Sequence, residues 1–148
     1  MSEFDPKLKV DPRNARTDGY KQIMQDIVTD GSCPLCPPMK WHPNPILKDN
    51  GGWIITENSH PYPNTRHHFI TVSKKHIETL EEFTSQDLES ILDLAKWACQ
   101  EYNIKGGGLT MRFGDTLYTG ATIKHLHAHL IVPKVEDGQV SPVYFPIG

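Results

Sequence analysis

Apolar residues recur at helical spacing in two stretches of the chain. Thr17 or Asp18 can cap a helix that the apolar positions predict over about residues 19–29, and Asp30-Gly31 ends it. A capping-box sequence at residues 84–87 begins a second apolar stripe that continues to about Tyr102. The pattern therefore predicts a helix near the start of the chain and a longer helix in its middle.

Alternating apolar and polar residues predict β-strands in four other stretches. These are residues 53–56, 68–72, 109–113 and 122–132. The proline-rich stretch 33–45 has no periodicity and is predicted to be a loop. Few helices together with several strands that suit antiparallel pairing predict an α+β fold.

Length and composition indicate one globular domain. The chain has 148 residues, of which 37% are hydrophobic and 22% charged, as in ordinary folded domains. Residues 1–16 contain two Asp-Pro pairs among many charges and are expected to form a flexible N-terminal arm. The domain itself is expected over residues 17–148.

Charge and hydropathy exclude two classes of partner. The net charge of −3 argues against a broad nucleic-acid surface. The longest apolar runs have three residues, too short for a membrane-spanning helix or a secretory signal core. We therefore expect no membrane association and a cytoplasmic location.

A cluster of histidines carries most of the chemical information. Three of the eight histidines are His125, His127 and His129. In a strand these side chains share one face, and neighbouring Cα atoms lie about 6.6 Å apart. Two neighbours can bind one metal ion, but three on a straight strand can hardly do so, which predicts separate roles. An exposed polar strand face without a function is disfavoured, because histidine has neither strong β propensity nor a fixed charge.

Two cysteines have the spacing of half a tetrahedral zinc site. They are Cys33 and Cys36, and two prolines follow, so the motif lies in a loop and not at the start of a thioredoxin-like helix. The remaining ligands are expected among six histidines: His42, His60, His67, His68, His76 and His125. The third cysteine, Cys99, lies on the apolar stripe of the longer helix and is expected in the core.

The turn before the histidine cluster is a candidate phosphate site. Gly120 allows close approach of the backbone, and the Thr122 hydroxyl follows it. An ordinary hairpin connection remains an equal alternative. The glycine run 106–108 is not followed by Lys-Ser/Thr, so it is no P-loop.

Four segments in order resemble the histidine-triad (HIT) family over about residues 20–135. Residues 125–131, His-Leu-His-Ala-His-Leu-Ile, resemble the signature His-φ-His-φ-His-φ-φ, where φ is apolar. Residues 120–125 are similar to the lead-in of that signature, and residues 68–76 to its His-containing strand that ends in Lys-x-His. The Cys-x2-Cys pair resembles that of zinc-bearing bacterial members, a group that includes diadenosine polyphosphate hydrolase-like proteins.

The chain also departs from the family pattern. Ser73 replaces a common proline, Arg66-His67 stands where Pro-Gly is common, and Ala121 replaces a frequent glutamine. Residues 112–114, Arg-Phe-Gly, occupy a region where many members carry an asparagine that touches phosphate. These departures affect the expected substrate preference and leave the nucleophile unchanged.

The resemblance implies a fold and a chemistry. The fold would be HIT-like, an antiparallel sheet of about five strands with one long helix and an N-terminal helix. Family members act on nucleotides at the α-phosphate and are usually homodimers. His127 corresponds to the family's nucleophile, which forms a covalent nucleotidyl-histidine, and His129 to a residue that binds phosphate oxygens.

The resemblance also implies the remaining site residues. Zinc would be structural and bound by Cys33, Cys36, His76 and His125, with His42 as an alternative for one position. Asn58 would touch the ribose of a purine nucleotide, and Gly120 and Thr122 would bind phosphate together with His129.

The expected activity is hydrolysis that releases a nucleoside monophosphate from a phosphoramidate or a dinucleoside polyphosphate. Transferase relatives typically carry glutamine at the third triad position, where this chain has His129. A nucleotidyltransferase or phosphorylase remains an alternative. So do a hydrolase with a catalytic metal on His125 and His127, and a non-catalytic nucleotide-binding zinc module.

Overall fold

The computed structural model describes residue 5 and residues 7–148, and it is α+β as expected. Its centre is an antiparallel sheet of five strands, which are β1 (Ile46–Asp49), β2 (Trp53–Glu57), β3 (Thr65–Ser73), β4 (Gly108–Met111) and β5 (His127–Pro133). Within the sheet they lie in the order β1-β2-β3-β5-β4. A separate hairpin pairs β6 (Val135–Glu136) with β7 (Gln139–Val140). The helices are α1 (Asp18–Asp30), α2 (Ser85–Glu101), α3 (Thr116–Thr119) and a 3-10 turn at Pro12–Asn14.

The two main helices begin and end as their capping residues predict. Thr17 caps α1, where its hydroxyl accepts a hydrogen bond from the Tyr20 N–H, and Gly31 ends α1 with φ of 80°. The capping box of α2 is complete, since Thr84 and Asp87 each accept from the other's backbone N–H.

The last predicted strand is shorter than its alternating pattern suggests. Residues 122–132 were expected to form one strand, but the β5 ladder begins at His127. The preceding residues find other backbone partners; for example, the Leu126 N–H donates to the Ile77 carbonyl at 2.8 Å. His125 therefore lies just before the strand and not on it. Strand β1, helix α3 and the β6–β7 hairpin were not predicted as separate elements.

Part of the N-terminal segment packs against the domain. A flexible arm was expected over residues 1–16, of which residues 1–4 and 6 lie outside the described residues. Val10 is only 1% exposed, and it forms an isolated β-bridge with Ile123. Val10 belongs to an apolar cluster with two residues of α1, so this part of the segment packs against the domain.

The sheet has two differently covered faces. Helix α2 packs on one face and buries a core of 11 residues: Trp53, Ile55, Phe69, Ile77, Ile91, Leu94, Ala95, Ala98, Leu126, Ala128 and Leu130. The opposite face carries Ile54, Ile70 and Val72, on which Leu35 and Met39 of the proline-rich loop pack. Within the described residues, no helix is both long enough and apolar enough to span a membrane.

Candidate active site and metal centre

A cavity of about 590 Å³ lies on the face of the sheet opposite α2. Helix α1, the proline-rich loop and the β2–β3 loop contribute to its walls. His127 and His129 line it from β5. Its volume is that of an ordinary small-molecule site.

His127 is held in one tautomer by the backbone. Its Nδ1 lies 2.8 Å from the His125 carbonyl oxygen, which can only accept, so Nδ1 carries the proton. The Nε2 of a neutral His127 therefore has a free lone pair. Burial lowers the pKa of His127, although the bond to the His125 carbonyl opposes this shift. The side chain is thus a neutral imidazole with an available nucleophilic nitrogen.

His68 determines the tautomer of His129. The Tyr62 N–H donates to His68 Nδ1 at 3.1 Å, so the proton of a neutral His68 is on Nε2. That Nε2 lies 2.8 Å from His129 Nδ1 and donates to it. The proton of His129 is consequently on its own Nε2. Within the histidine cluster, the His127 and His129 ring centroids lie 4.9 Å apart.

The lowered pKa values of His68 and His129 keep both rings neutral at neutral pH. Burial, together with the charges of His127 and Arg112, lowers the pKa of His68 to about 4. Burial also lowers the pKa of His129 well below its ordinary value, and the neighbouring histidines and Arg112 act in the same direction. At neutral pH each ring therefore has one donor and one acceptor, which is the condition for the chain of hydrogen bonds.

The predicted nucleotide-binding residues do not all line the cavity. Asn58 and Thr122 both line the cavity, and the Thr122 hydroxyl is 3.0 Å from the Tyr20 hydroxyl. The Asn58 side-chain oxygen accepts from the His60 N–H at 2.9 Å. Gly120 does not line the cavity, and its N–H donates to the Thr116 carbonyl at 3.0 Å. This N–H is therefore already used within α3.

Four predicted metal ligands come together beside the cavity. The ligand atoms of Cys33, Cys36, His76 and His125 all lie within 4.8 Å of one another. Cys36 Sγ is 3.3 Å from His76 Nδ1 and 3.5 Å from His125 Nδ1. Tetrahedral zinc, with bonds of about 2.1 Å to nitrogen and 2.3 Å to sulfur, separates its ligand atoms by about 3.4–3.8 Å. The cluster fits a structural zinc ion.

The other ring nitrogens orient both histidines toward the metal position. His125 Nε2 donates to the Ser73 carbonyl at 2.6 Å, and His76 Nε2 to a Glu78 carboxylate oxygen at 2.8 Å. Each Nδ1 is thereby left without a proton, as metal binding requires. Burial raises the pKa of the Cys33 thiol to about 11. A divalent cation is what would stabilise its thiolate there.

His42 is not part of the metal cluster. Its Nε2 donates to the Thr56 hydroxyl at 2.9 Å, and that hydroxyl donates to the Pro45 carbonyl at 2.8 Å. His42 instead lines the cavity. The alternative ligand set that includes His42 is therefore corrected in favour of His76 and His125.

Sequence reasoning missed three polar residues of the cavity. His68 was considered only as a possible zinc ligand, and Tyr62 and Arg112 had no site role. Strand pairing could have indicated His68, since Ile70 is opposite His129 and residues two apart share a face. The positions of Tyr62 and Arg112 depend on how loops fold over the sheet, for which the sequence has no simple signal.

The family comparison covers most of the chain. Residues 32–141 match the family model described as scavenger mRNA decapping enzyme C-term binding. No curated protein matches the chain in sequence.

Solved structures share the fold at low sequence identity. A histidine-triad nucleotide-binding protein from Candida albicans is 21% identical, with a TM-score of 0.59 over 79% of this chain and 85% of that one. A zinc-bound histidine-triad family protein from Mycobacterium smegmatis is 19% identical, with a TM-score of 0.57 over 78% and 84%. A HIT family hydrolase from Legionella pneumophila Philadelphia 1 is 23% identical, with a TM-score of 0.54 over 67% and 90%.

Proposed function

This chain belongs to the family described as scavenger mRNA decapping enzyme C-term binding, within the histidine-triad superfamily, and from that premise we propose that it is a nucleotide hydrolase. It acts at the α-phosphate of a nucleotide and releases a nucleoside monophosphate. The substrate is a phosphoramidate or a dinucleoside polyphosphate. The reaction passes through a nucleotide covalently bound to His127.

The observation that carries this proposal is the tautomer of His127. Its Nδ1 is engaged by the His125 carbonyl at 2.8 Å, and its Nε2 has a free lone pair beside the cavity. In the first step, Nε2 forms a bond to the α-phosphorus, and the bond from phosphorus to the leaving group breaks, with the electron pair going to the leaving group. The resulting cationic imidazole is itself a good leaving group.

Water completes the reaction. Its oxygen attacks the α-phosphorus, the bond to His127 breaks, and Nε2 regains its electron pair while one proton of the water passes to solvent. The His129 Nε2–H is suited to donate to a phosphate oxygen during both steps, because its Nδ1 is occupied by His68 at 2.8 Å. The two displacements thus share the same donor.

The cavity lining suits a nucleotide. Much of it is apolar, including Ile23, Met24, Ile27, Leu35 and Trp41. These side chains suit a purine base, and Asn58, which also lines the cavity, is assigned to the ribose. Thr122 is assigned to phosphate. We extend the proposal to a homodimer, on the family resemblance alone.

Zinc has a structural role in this proposal. A zinc-bound histidine-triad protein is among the similar structures, and the four clustered residues of this chain supply a complete tetrahedral set. His125 is directed to that cluster while His127 is directed to the cavity, which argues against a catalytic metal shared by these two histidines. When bound, zinc supplies a cross-link between chain segments.

The test is His127→Ala, with His67→Ala as the matched control. We expect turnover of adenosine 5′-phosphoramidate to fall by several orders of magnitude in His127→Ala, because the covalent route is lost. Brief incubation of the wild type should add one nucleotidyl mass to the 125–129 peptide in mass spectrometry. If His127→Ala kept more than about a tenth of the wild-type rate, a barrier change of only about 1.4 kcal/mol, the assignment would be wrong.

Hydrolysis and transfer are distinguished by their products. Water and an acceptor phosphate compete for the same His127 adduct. The wild type, given excess orthophosphate or glucose 1-phosphate, should still release mainly nucleoside monophosphate in chromatography. Dominant nucleoside diphosphate or nucleotide sugar would indicate a phosphorylase or a transferase instead.

A further inference from the structure

The cavity concentrates positive charge against the sign of the whole chain. Its described lining includes Arg16 and Arg112 and no aspartate or glutamate, whereas the chain has a net charge of −3. An uncompensated pair of guanidinium groups in a pocket attracts anions. The pair needs an explanation, since the proposed function does not use it.

Both arginines bracket Tyr62 next to the reacting histidines. The Arg16 guanidinium carbon lies 5.6 Å from the Tyr62 ring centroid, and Arg112 Nη2 donates to the Tyr62 hydroxyl at 3.1 Å. The Tyr62 ring in turn stacks beside His129 at a centroid distance of 6.0 Å. The two positive charges therefore lie at the end of the cavity where phosphorus reacts. In agreement with this arrangement, Arg112 and Arg16 both contribute to the lowered pKa of His129.

Each arginine keeps donors that no described residue uses. Arg112 bonds the Pro146 carbonyl through Nε at 2.9 Å and Nη2 at 2.6 Å, and it stacks 3.8 Å from the Phe145 ring centroid. These contacts fix its guanidinium plane and leave Nη1 unbonded. Arg16 is exposed, and within residues 5 and 7–148 its guanidinium forms neither a hydrogen bond nor an ion pair. Such free N–H groups are suitable partners for phosphate oxygens.

We propose that Arg16 and Arg112 form the subsite for an anionic leaving group, so that the preferred substrates are nucleoside 5′-polyphosphates. This inference rests on the proposed function. As His127 Nε2 bonds to the α-phosphorus, the bond from that phosphorus to the bridging oxygen breaks, and the oxygen leaves on the β-phosphate with the electron pair. The guanidinium groups stabilise this growing negative charge. An amine that leaves a phosphoramidate departs neutral after taking a proton and gains no such stabilisation.

The experiment compares two substrates that differ only in the leaving group. Adenosine 5′-diphosphate (ADP) and adenosine 5′-phosphoramidate both yield adenosine 5′-monophosphate (AMP), one by loss of phosphate and the other by loss of ammonia. The ratio of kcat/KM for ADP to kcat/KM for the phosphoramidate should fall by about tenfold or more in Arg112→Gln and in Arg16→Gln. Arg112→Lys should retain part of the ratio because it retains the charge.

Arg66→Gln is the matched control. Arg66 is exposed on β3 and does not line the cavity, and its substitution changes the net charge by the same amount. The ratio should not change in this variant. A melting curve for Arg112→Gln checks that loss of the Pro146 and Tyr62 contacts has not unfolded the protein, and Arg16→Gln tests the same subsite without those contacts.

The outcomes separate this inference from the function on which it rests. If the wild type cleaves the phosphoramidate but not ADP, or if the arginine variants lower both rates equally, the subsite is wrong and the hydrolase proposal stands. If the wild type cleaves neither of these substrates nor diadenosine tetraphosphate, the hydrolase proposal fails, and calorimetry then decides the subsite. A preference for binding ADP over AMP that both arginine variants lose supports the subsite, and an unchanged preference overturns it.

Discussion

At the scale of single residues, His68 links the backbone to the chemistry of the cavity. It accepts from the Tyr62 N–H and donates to His129, so a fixed backbone donor specifies the tautomer of a ring two steps away. The Asn58 amide nitrogen is also 3.2 Å from His68 Nε2. Two N–H groups cannot bond to each other, and the amide oxygen of Asn58 is held by His60. The His68 Nε2–H therefore donates its hydrogen bond to His129 Nδ1.

Substitution of His68 should impair turnover because it removes a hydrogen bond to His129. His68→Leu removes the donor to His129 Nδ1, so we expect kcat to fall by about tenfold or more while the fold is kept. His68→Gln retains an N–H donor and should recover part of the loss in steady-state assays. His67→Leu, which changes the neighbouring histidine that packs on Phe69 and Tyr102, serves as the control. Equal activity of the Leu and Gln variants would indicate a packing role only.

At the scale of elements, the N-terminal segment holds the connection between α3 and β5. The buried Asp11 carboxylate accepts from Arg13 Nε at 2.9 Å and from the Thr116 hydroxyl at 2.7 Å. The Asp11 N–H donates to the Thr122 carbonyl at 2.7 Å, and the Asn14 amide reaches the same connection. Since Thr122 lines the cavity, this segment positions part of the cavity wall.

Asp11→Asn should destabilise the protein in a pH-dependent way. Burial raises the pKa of Asp11, but hydrogen bonds from Arg13 and Thr116 outweigh burial and lower it below 3.8. The carboxylate therefore contributes stability above its unfolded pKa, and the contribution is lost as pH falls through the lower folded pKa. We expect a loss of about 1–3 kcal/mol in the free energy of unfolding at neutral pH.

Denaturant titrations across the pH range check this expectation. The difference between wild type and Asp11→Asn should stay constant from about pH 8 to pH 5 and shrink below about pH 4. Asp93→Asn removes an exposed carboxylate from α2 and is the matched control. A difference that instead grows on acidification would contradict the sign of the pKa shift.

At the scale of the whole molecule, the metal cluster joins three distant parts of the chain. Cys33 and Cys36 lie in the loop after α1, His76 follows β3, and His125 precedes β5. Leu35 and Met39 of this loop also pack on the sheet, and His42 bonds Thr56 of β2. A bound zinc ion therefore restrains both the wall of the cavity and the start of the histidine strand.

Loss of zinc should lower the melting temperature. Protein made with zinc present should contain about one zinc per chain, and chelation should destabilise it because metal binding is coupled to folding. Cys36→Ser and His76→Ala should lower both zinc content and melting temperature. His42→Ala should retain its zinc, since His42 bonds Thr56. Elemental analysis with no metal, or with zinc lost only in His42→Ala, would contradict this ligand set.

The sequence by itself determined the features that depend on local chemistry. Thr84 and the pair Thr17-Asp18 predicted the helix starts, because a capping side chain satisfies the free backbone N–H groups there. The period-two histidines predicted separate positions, and His125 lies in the metal cluster while His127 and His129 line the cavity, although His125 precedes the strand on which all three were expected. The resemblance to a family added the ligand set, of which all four members cluster.

The tertiary structure alone decided which groups meet across the sheet. Gly120 and Thr122 are two residues apart, yet only Thr122 lines the cavity, because Gly120 packs against the backbone of Gly148. His68 reaches His129 from a different strand, and Arg112 reaches Tyr62 from a different loop. Such contacts depend on strand register and loop packing, which involve residues far apart in the chain. A local sequence pattern therefore does not predict them.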